Sequence, residues 1–330
     1  MGGNVYATRL IPDAGLQMLR DRCQMVEVNP HDRVLTREEL LRAVVGRDGV
    51  LCLLTDRIDA EVLDAARGCK VFANCAVGYD NIDVPAATAR SVAITNTPGV
   101  LTDATADLTW ALIFAVARRA VEGDGYVRDG KFGGWAPMLF LGGDITGQTL
   151  GIVGAGRIGQ AVARRSVGFR MRVLYTDTSP QPELKREVGA KRVELDELLR
   201  GADFVSLHTP LLKETQHLIG RRELALMKPT AYLINTARGP IVDEEALVEA
   251  LRDGRIAGAG LDVYENEPEL APGLADLPNV VLLPHLGSAS TGTRTRMATM
   301  AAENLLAVLG GRIPPNIVNS EVAGRLNLTG

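Results

Sequence analysis

The chain is poor in the residues that disulfide and metal chemistry use. Of 330 residues, four are cysteine and four are histidine. Cys23, Cys52, Cys69 and Cys75 form no C-x-x-C pair and have mostly apolar neighbours, so they read as reduced core thiols of a cytoplasmic protein. Without paired spacing and nearby histidines, no metal site is expected. No apolar run approaches the ~20 residues of a membrane span. The N-terminal stretch lacks a basic region followed by an apolar core, so no secretion signal is read, and Tyr6 stands where a myristoylation signal needs Ser or Thr. No excess of positive charge is present either. A net charge of -4 argues against nucleic acid or an anionic membrane as the main partner. Internal repeats and low-complexity segments are also missing.

What is present is an alternation of short apolar runs with helical patterns, over a length that suggests two domains. Strands are expected at Val5–Thr8, Val26–Val28, Gly49–Leu54, Val71–Ala73 and Ala93–Thr95. Helices are expected at Asp59–Ala66 and after the capping box Thr36-Arg37-Glu38-Glu39, through Val45. This βαβ rhythm predicts a small parallel sheet with helices on both faces. Leu101–Glu122 reads as one long helix, with Leu108, Ala111, Leu112, Ala115 and Val116 at helical spacing. Gly130–Gly147 reads as a loop. Further strands follow at Asp203–Leu207, Ala231–Asn235, Ala257–Asp262 and Val280–Leu283, with a helix at Asp243–Asp253 capped by Asp243 and closed by Gly254. The helical tail Thr291–Leu309 is expected to return to the first domain. The reading is therefore α/β, with residues 1–100 and 288–330 as one discontinuous domain and 101–287 as an inserted nucleotide-binding domain. The active cleft is expected between them, at the C-terminal ends of strands.

The most informative segment is Thr149–Gly159. An apolar run ends in Gly154-x-Gly156-x-x-Gly159, a helical stretch Arg157–Ser166 follows, and Asp177 closes a second apolar run about twenty residues on. Gly154 permits a sharp turn. Gly156, with no Cβ, permits backbone to approach a pyrophosphate, and Gly159 permits close packing of helix on sheet. The helix N-terminus then offers N–H groups to phosphate. Alone the glycines are weak evidence; strand, helix and acid together predict a dinucleotide cradle.

Hydride transfer to a carbonyl needs a proton donor that titrates near neutrality, which points to histidine. His285 lies just past a strand in Leu283-Pro284-His285-Leu286-Gly287-Ser288. His208 ends another strand and is a candidate to face the cofactor. His31 and His217 sit in polar loops and read as structural. Arg238, in Asn235-Thr236-Ala237-Arg238-Gly239, is placed to present its fork to a carboxylate. Glu267, in Glu265-Asn266-Glu267-Pro268, would orient an imidazole beside it and raise its basicity. Taken singly, a lone histidine more often satisfies a local carbonyl, an arginine such as Arg238 more often makes a surface ion pair, and a glutamate such as Glu267 is more often a solvated loop charge.

Together the segments resemble the D-isomer-specific 2-hydroxyacid dehydrogenases over nearly the whole chain. The carriers are Gly154-x-Gly156-Arg157-Ile158-Gly159, Asn235-x-x-Arg238-Gly239, Gly260-Leu261-Asp262-Val263-x-x-x-Glu267-Pro268 and Pro284-His285-x-Gly287-Ser288, with Asn96-Thr97-Pro98 and Ala104-Thr105-Ala106-Asp107. Ala76-Val77-Gly78-Tyr79-Asp80-Asn81 and Leu101–Asp107 resemble the glyoxylate/hydroxypyruvate reductase branch. The resemblance implies a Rossmann domain inserted into a flavodoxin-like substrate domain, and a homodimer acting on a small 2-keto acid with NAD. It implies His285 as general acid, Glu267 as its orienting carboxylate and Arg238 as the substrate clamp. Cofactor contacts are implied for Gly154, Gly156, Arg157, Ile158, Gly159, Asp177, Thr105, His208, Thr209, Pro210, Thr236, Ala237, Asp262 and Gly287. Val77, Gly78, Leu54, Arg238 and Trp135 are implied to bind substrate, and the long helix and the Trp135 loop resemble the family's dimer seam. Asp177, followed by Thr178 where NADP users offer Arg, implies NAD. Two other readings exist. Trp135-Ala136-Pro137 also resembles phosphite dehydrogenases, which carry a lysine where this chain has Val77. NAD-sensing corepressors share the family but bear extended tails, whereas this sequence stops at Gly330.

Overall fold

The computed structural model describes residues 2–330 and divides them into two compact units: residues up to Leu101 with Ala289–Gly330, and Thr102–Ser288.

The first unit is built from β1 (Asn4–Ala7), α1 (Asp13–Arg20), β2 (Met25–Val28), α2 (Arg37–Ala43), β3 (Gly49–Cys52), α3 (Ala60–Ala65), β4 (Val71–Asn74), α4 (Val84–Ala89) and β5 (Ala93–Thr95). Its five strands are all parallel, in the order β2-β1-β3-β4-β5. That is the flavodoxin-like order, and both faces are covered, as a parallel sheet requires. Val50, Cys52, Phe72 and Ile94 pack with Leu40, Val62, Leu63 and Ala87 of α2 to α4. The alternate positions face the returning C-terminal helix, whose Leu305 lies against Gly49. The Thr36–Glu39 capping box forms as expected.

The second unit runs through α5 (Thr102–Ala117), α6 (Ala120–Arg128), β6 (Thr149–Val153), α7 (Arg157–Arg165), β7 (Arg172–Thr176), α8 (Pro182–Val188), β8 (Lys191–Arg192), α9 (Leu195–Gly201) and β9 (Phe204–Leu207). It continues with α10 (Arg221–Leu226), β10 (Tyr232–Asn235), α11 (Glu244–Arg252), β11 (Gly258–Leu261) and β12 (Val280–Leu282); α12 (Thr291–Leu309) belongs to the first unit. The seven parallel strands lie in the order β12-β11-β10-β9-β6-β7-β8. Counted from β6, this is 3-2-1-4-5-6 with one strand added, the Rossmann order, and its direction reverses between β6 and β9. The inner strands β6, β9, β10 and β11 are mostly apolar because both faces are buried, whereas the edge strand β8 exposes Lys191 and Arg192.

One expectation is corrected. Leu101–Glu122 is two helices, broken at Arg119, which takes a left-handed conformation (φ 52°). The Ala117 carbonyl that would continue the helix accepts instead from Gly143 N–H at 2.9 Å. The Arg119 guanidinium then pairs with Glu122 at 2.6 Å and lies 4.9 Å from the centre of the Phe140 ring. The sequence spacing carries no trace of this distant cap.

Candidate active site

At the end of β6 the chain turns through Gly154, at φ +90°, where a Cβ would come within 2.8 Å of the His208–Thr209 backbone. At Gly159 a Cβ would lie 2.1 Å from the Gly154 carbonyl oxygen, so this position holds the first turn of α7 against the strand end. Gly156 differs from both. It has an ordinary φ of −71°, it is exposed, and a Cβ there would meet nothing within 4 Å. The structure therefore needs glycine at 154 and 159 for itself, whereas at 156 it leaves open space before a helix N-terminus. Asp177, just beyond β7, accepts from Ala155 N–H at 2.7 Å and so ties the acid to the glycine loop. Its other oxygen accepts from Ser179 N–H at 3.1 Å. The Arg192 guanidinium donates to the Asp177 carbonyl at 2.8 Å, a neighbour that the sequence reading missed.

Two other strand ends meet at a second cluster. His285 Nδ1 lies 3.0 Å from Glu267 Oε2, and both side chains are partly exposed, at 28% and 31%. The turn that presents His285 is held by Asp262, at the end of β11. His285 N–H donates to the Asp262 carbonyl at 3.0 Å, and Leu286 and Gly287 N–H donate to its carboxylate at 2.6 and 2.7 Å. This places His285 at φ +56°, a left-handed conformation that histidine adopts more readily than most residues. Glu267 Oε1 accepts from Tyr264 N–H at 3.1 Å, and the Tyr264 hydroxyl reaches back to the Leu283 carbonyl at 2.9 Å. Burial pushes the Glu267 carboxyl up, but the hydrogen bond and charge of His285, the Tyr264 N–H and the charge of Arg238 outweigh it and hold it below the ordinary value. Burial dominates at Asp262, where it raises the carboxyl despite the two N–H donors.

Arg238 follows β10. Asn235 shapes its turn, donating from Nδ2 to the Arg238 carbonyl at 2.8 Å and accepting from Ala237 N–H at 3.0 Å. Arg238 Nη1 donates to the Ala237 carbonyl at 2.8 Å. The next residue, Gly239, touches the Glu267 loop directly: a Cβ would overlap the Tyr264 carbonyl, at 1.8 Å. The cluster thus holds an imidazole paired with an ionised carboxylate and a guanidinium whose charge reaches that carboxylate. Such groups can hold an anionic substrate and move a proton.

Residues 110–287 match the family model for the D-isomer specific 2-hydroxyacid dehydrogenase NAD binding domain. Glyoxylate reductase of Thermococcus onnurineus is 53% identical over 326 residues, covering 98% of this chain and 97% of that protein. The chain is a D-isomer-specific 2-hydroxyacid dehydrogenase. A solved structure of a protein from Thermus thermophilus is 53% identical, with a TM-score of 0.89, covering 96% of this chain and all of that one. The crystal structure of a glyoxylate reductase from Paecilomyes thermophila has 34% identity and a TM-score of 0.86, over 97% and 99% of the two chains.

For this dehydrogenase the cofactor is the nicotinamide dinucleotide NAD, and the glycine loop fits it: the space a Gly156 Cβ would fill lies before the nine-residue α7, as a pyrophosphate requires. The other residues expected near it lie just past β9, β10, β11 and β12, on α5 or at the start of α7. Thr105 donates from Oγ1 to the Gly287 carbonyl at 3.0 Å, and the Thr109 and Thr236 hydroxyls are 2.9 Å apart. His208 Nε2 lies 2.8 Å from Ser206 Oγ, and burial pushes its imidazole down to about 3. The buried Thr209 Oγ1 has no hydrogen-bond partner among the described residues. Ile158 is half-buried, and Arg157 and Pro210 are exposed.

In the first unit, the carbonyls of Val77 and Gly78 are taken by the side-chain amides of Asn96 and Asn74, each at 2.8 Å, which fixes both peptide planes. Leu54 sits in a turn held by Asp56, whose carboxylate accepts from Thr8 Oγ1 at 2.5 Å and Leu53 N–H at 2.8 Å. Asn74 and Asp56 were not singled out in the sequence, and Asn96 only as part of the Asn96-Thr97-Pro98 motif, because each acts on a loop rather than presenting a group of its own. Trp135 is 83% exposed, so its own chain covers little of it.

Proposed function

We propose that this dehydrogenase reduces small 2-keto acids, glyoxylate and hydroxypyruvate, to the D-2-hydroxy acids with NADH. The observation that carries the reading is the His285–Glu267 pair at 3.0 Å, beside the charge of Arg238. NADH supplies the hydride. Arg238 holds the substrate carboxylate through its fork and polarises the keto group. His285 gives its Nε2 proton to the keto oxygen, and Glu267 on Nδ1 fixes the orientation and tautomer of the ring. The first unit acts as the substrate domain, with Val77, Gly78 and Leu54 as its contributions.

Asp177 favours NADH over NADPH, because a carboxylate accepts from ribose hydroxyls and repels a 2′-phosphate. Equal kcat/KM with the two cofactors would defeat that preference. The working molecule is a homodimer in the cytoplasm. Supporting the dimer, Phe132, Trp135, Met138 and Leu141 stand more than half exposed in one segment, more apolar surface than a lone chain ordinarily leaves to water. A panel of 2-keto acids assayed with NADH tests the function. Glyoxylate and hydroxypyruvate should lead it, and no turnover of either would refute it.

A further inference from the structure

Glu244 is a buried carboxylate for which the proposed reaction has no use. It is 3% exposed and opens α11 immediately after the N-cap Asp243. Its Oε1 accepts from Glu265 N–H at 2.7 Å and its Oε2 from Ala271 N–H at 3.1 Å. In return, Glu244 N–H donates to Glu265 Oε2 at 3.2 Å, and Glu265 Oε1 lies 2.5 Å from His217 Nε2. One carboxylate therefore grips both ends of the segment 265–271, and Glu267 lies inside that segment. A glutamate in the first helical turn would serve the helix dipole equally well from solvent. Burying it carries a desolvation cost, and the two N–H groups that offset this both come from the loop.

The same short stretch of chain fixes the loop twice. Gly239, the neighbour of Arg238, packs its backbone onto the Tyr264–Glu265 peptide, and Glu244, five residues later, holds the loop by its side chain. We infer that Glu244 is a positioning residue for proton transfer: it sets the 265–271 loop so that Glu267 Oε2 meets His285 Nδ1. The inference rests on the proposed role of His285 as proton donor. Its consequence is specific. Substrate is held by Arg238 and cofactor by the glycine loop, so loosening Glu267 should slow the chemical step and leave both binding steps nearly intact.

The test is Glu244→Gln in the full-length protein, with kcat normalised to NADH-binding sites counted by fluorescence titration. The amide turns a donor toward one of the two backbone N–H groups and so releases one end of the loop. We expect kcat per site to fall about tenfold or more, as misplacement by an ångström commonly costs. The KM for glyoxylate should stay within about threefold and NADH affinity within about twofold. Glu265→Gln, which weakens the same loop through a more exposed residue, should lower kcat in the same direction but less. A merely structural Glu244 would lower the melting temperature and leave kcat per site unchanged. Wild-type kcat per site in Glu244→Gln overturns the inference; so does wild-type kcat in Glu265→Gln if Glu244→Gln does not fold. A wild-type protein that binds NADH but reduces neither glyoxylate nor hydroxypyruvate would instead refute the function beneath it.

Discussion

At the scale of single residues, the account turns on three side chains within one unit. His285→Ala should lower kcat for glyoxylate by about 10²–10⁴-fold, the usual worth of a positioned proton donor, while NADH still binds. Full activity in that variant would remove His285 from the chemistry. Arg238→Lys should raise the KM for keto acid and lower kcat, since an ammonium cannot reproduce a two-pronged contact; unchanged values would exclude the clamp. His208 gives a separate test, of stability. Burial holds its imidazole near 3, whereas the unfolded chain takes up the proton near the ordinary value of about 6.5. Its contribution is therefore complete above about pH 6.5 and is lost as pH falls toward 3. The melting temperature of His208→Asn should decline less steeply than wild type between those values, and parallel curves would contradict this. His285, Glu267 and Arg238 were legible in the sequence because each stands in a short motif at a strand end. The roles of Glu244, Asn74 and Asn96 were not, although Asn96 stands in the Asn96-Thr97-Pro98 motif, because what they do depends on backbone groups that only the fold brings within reach: Ala271 for Glu244, Gly78 for Asn74 and Val77 for Asn96.

At the scale of elements, the three glycines of the turn after β6 separate into structural and functional positions. Gly159→Ala drives a Cβ into the Gly154 carbonyl and should cost at least ~1–3 kcal/mol of stability. Gly156→Ala has room in the free protein, so its melting temperature should hold while NADH affinity falls. Weak NADH binding in neither variant would remove the cofactor from this turn. Strands and capped helices were legible from periodicity, as at Thr36–Glu39 and α12, because local propensity and burial agree there. The break between α5 and α6 was not. Ala117 and Arg119 are ordinary helical residues, and the interruption comes from Gly143, which caps the Ala117 carbonyl from the far end of the following loop.

At the scale of the whole molecule, the chain makes two sheets of different strand order, and its last helix completes the first unit rather than the second. That return was legible because α12 follows the last strand of the nucleotide fold, which already has its full set of strands. The apolar segment around Trp135 predicts a dimer. Light scattering should give twice the chain mass, and Trp135→Ser with Met138→Ser should shift it toward the monomer; a monomeric wild type would contradict the assembly. The most direct test of the central claim is the oxidation of NADH followed at 340 nm with glyoxylate, by wild type and His285→Ala side by side, each shown by fluorescence to bind NADH. The account predicts rapid oxidation by the first and almost none by the second. Phosphite-driven formation of NADH at a comparable rate, or equal glyoxylate turnover by both proteins, would contradict it.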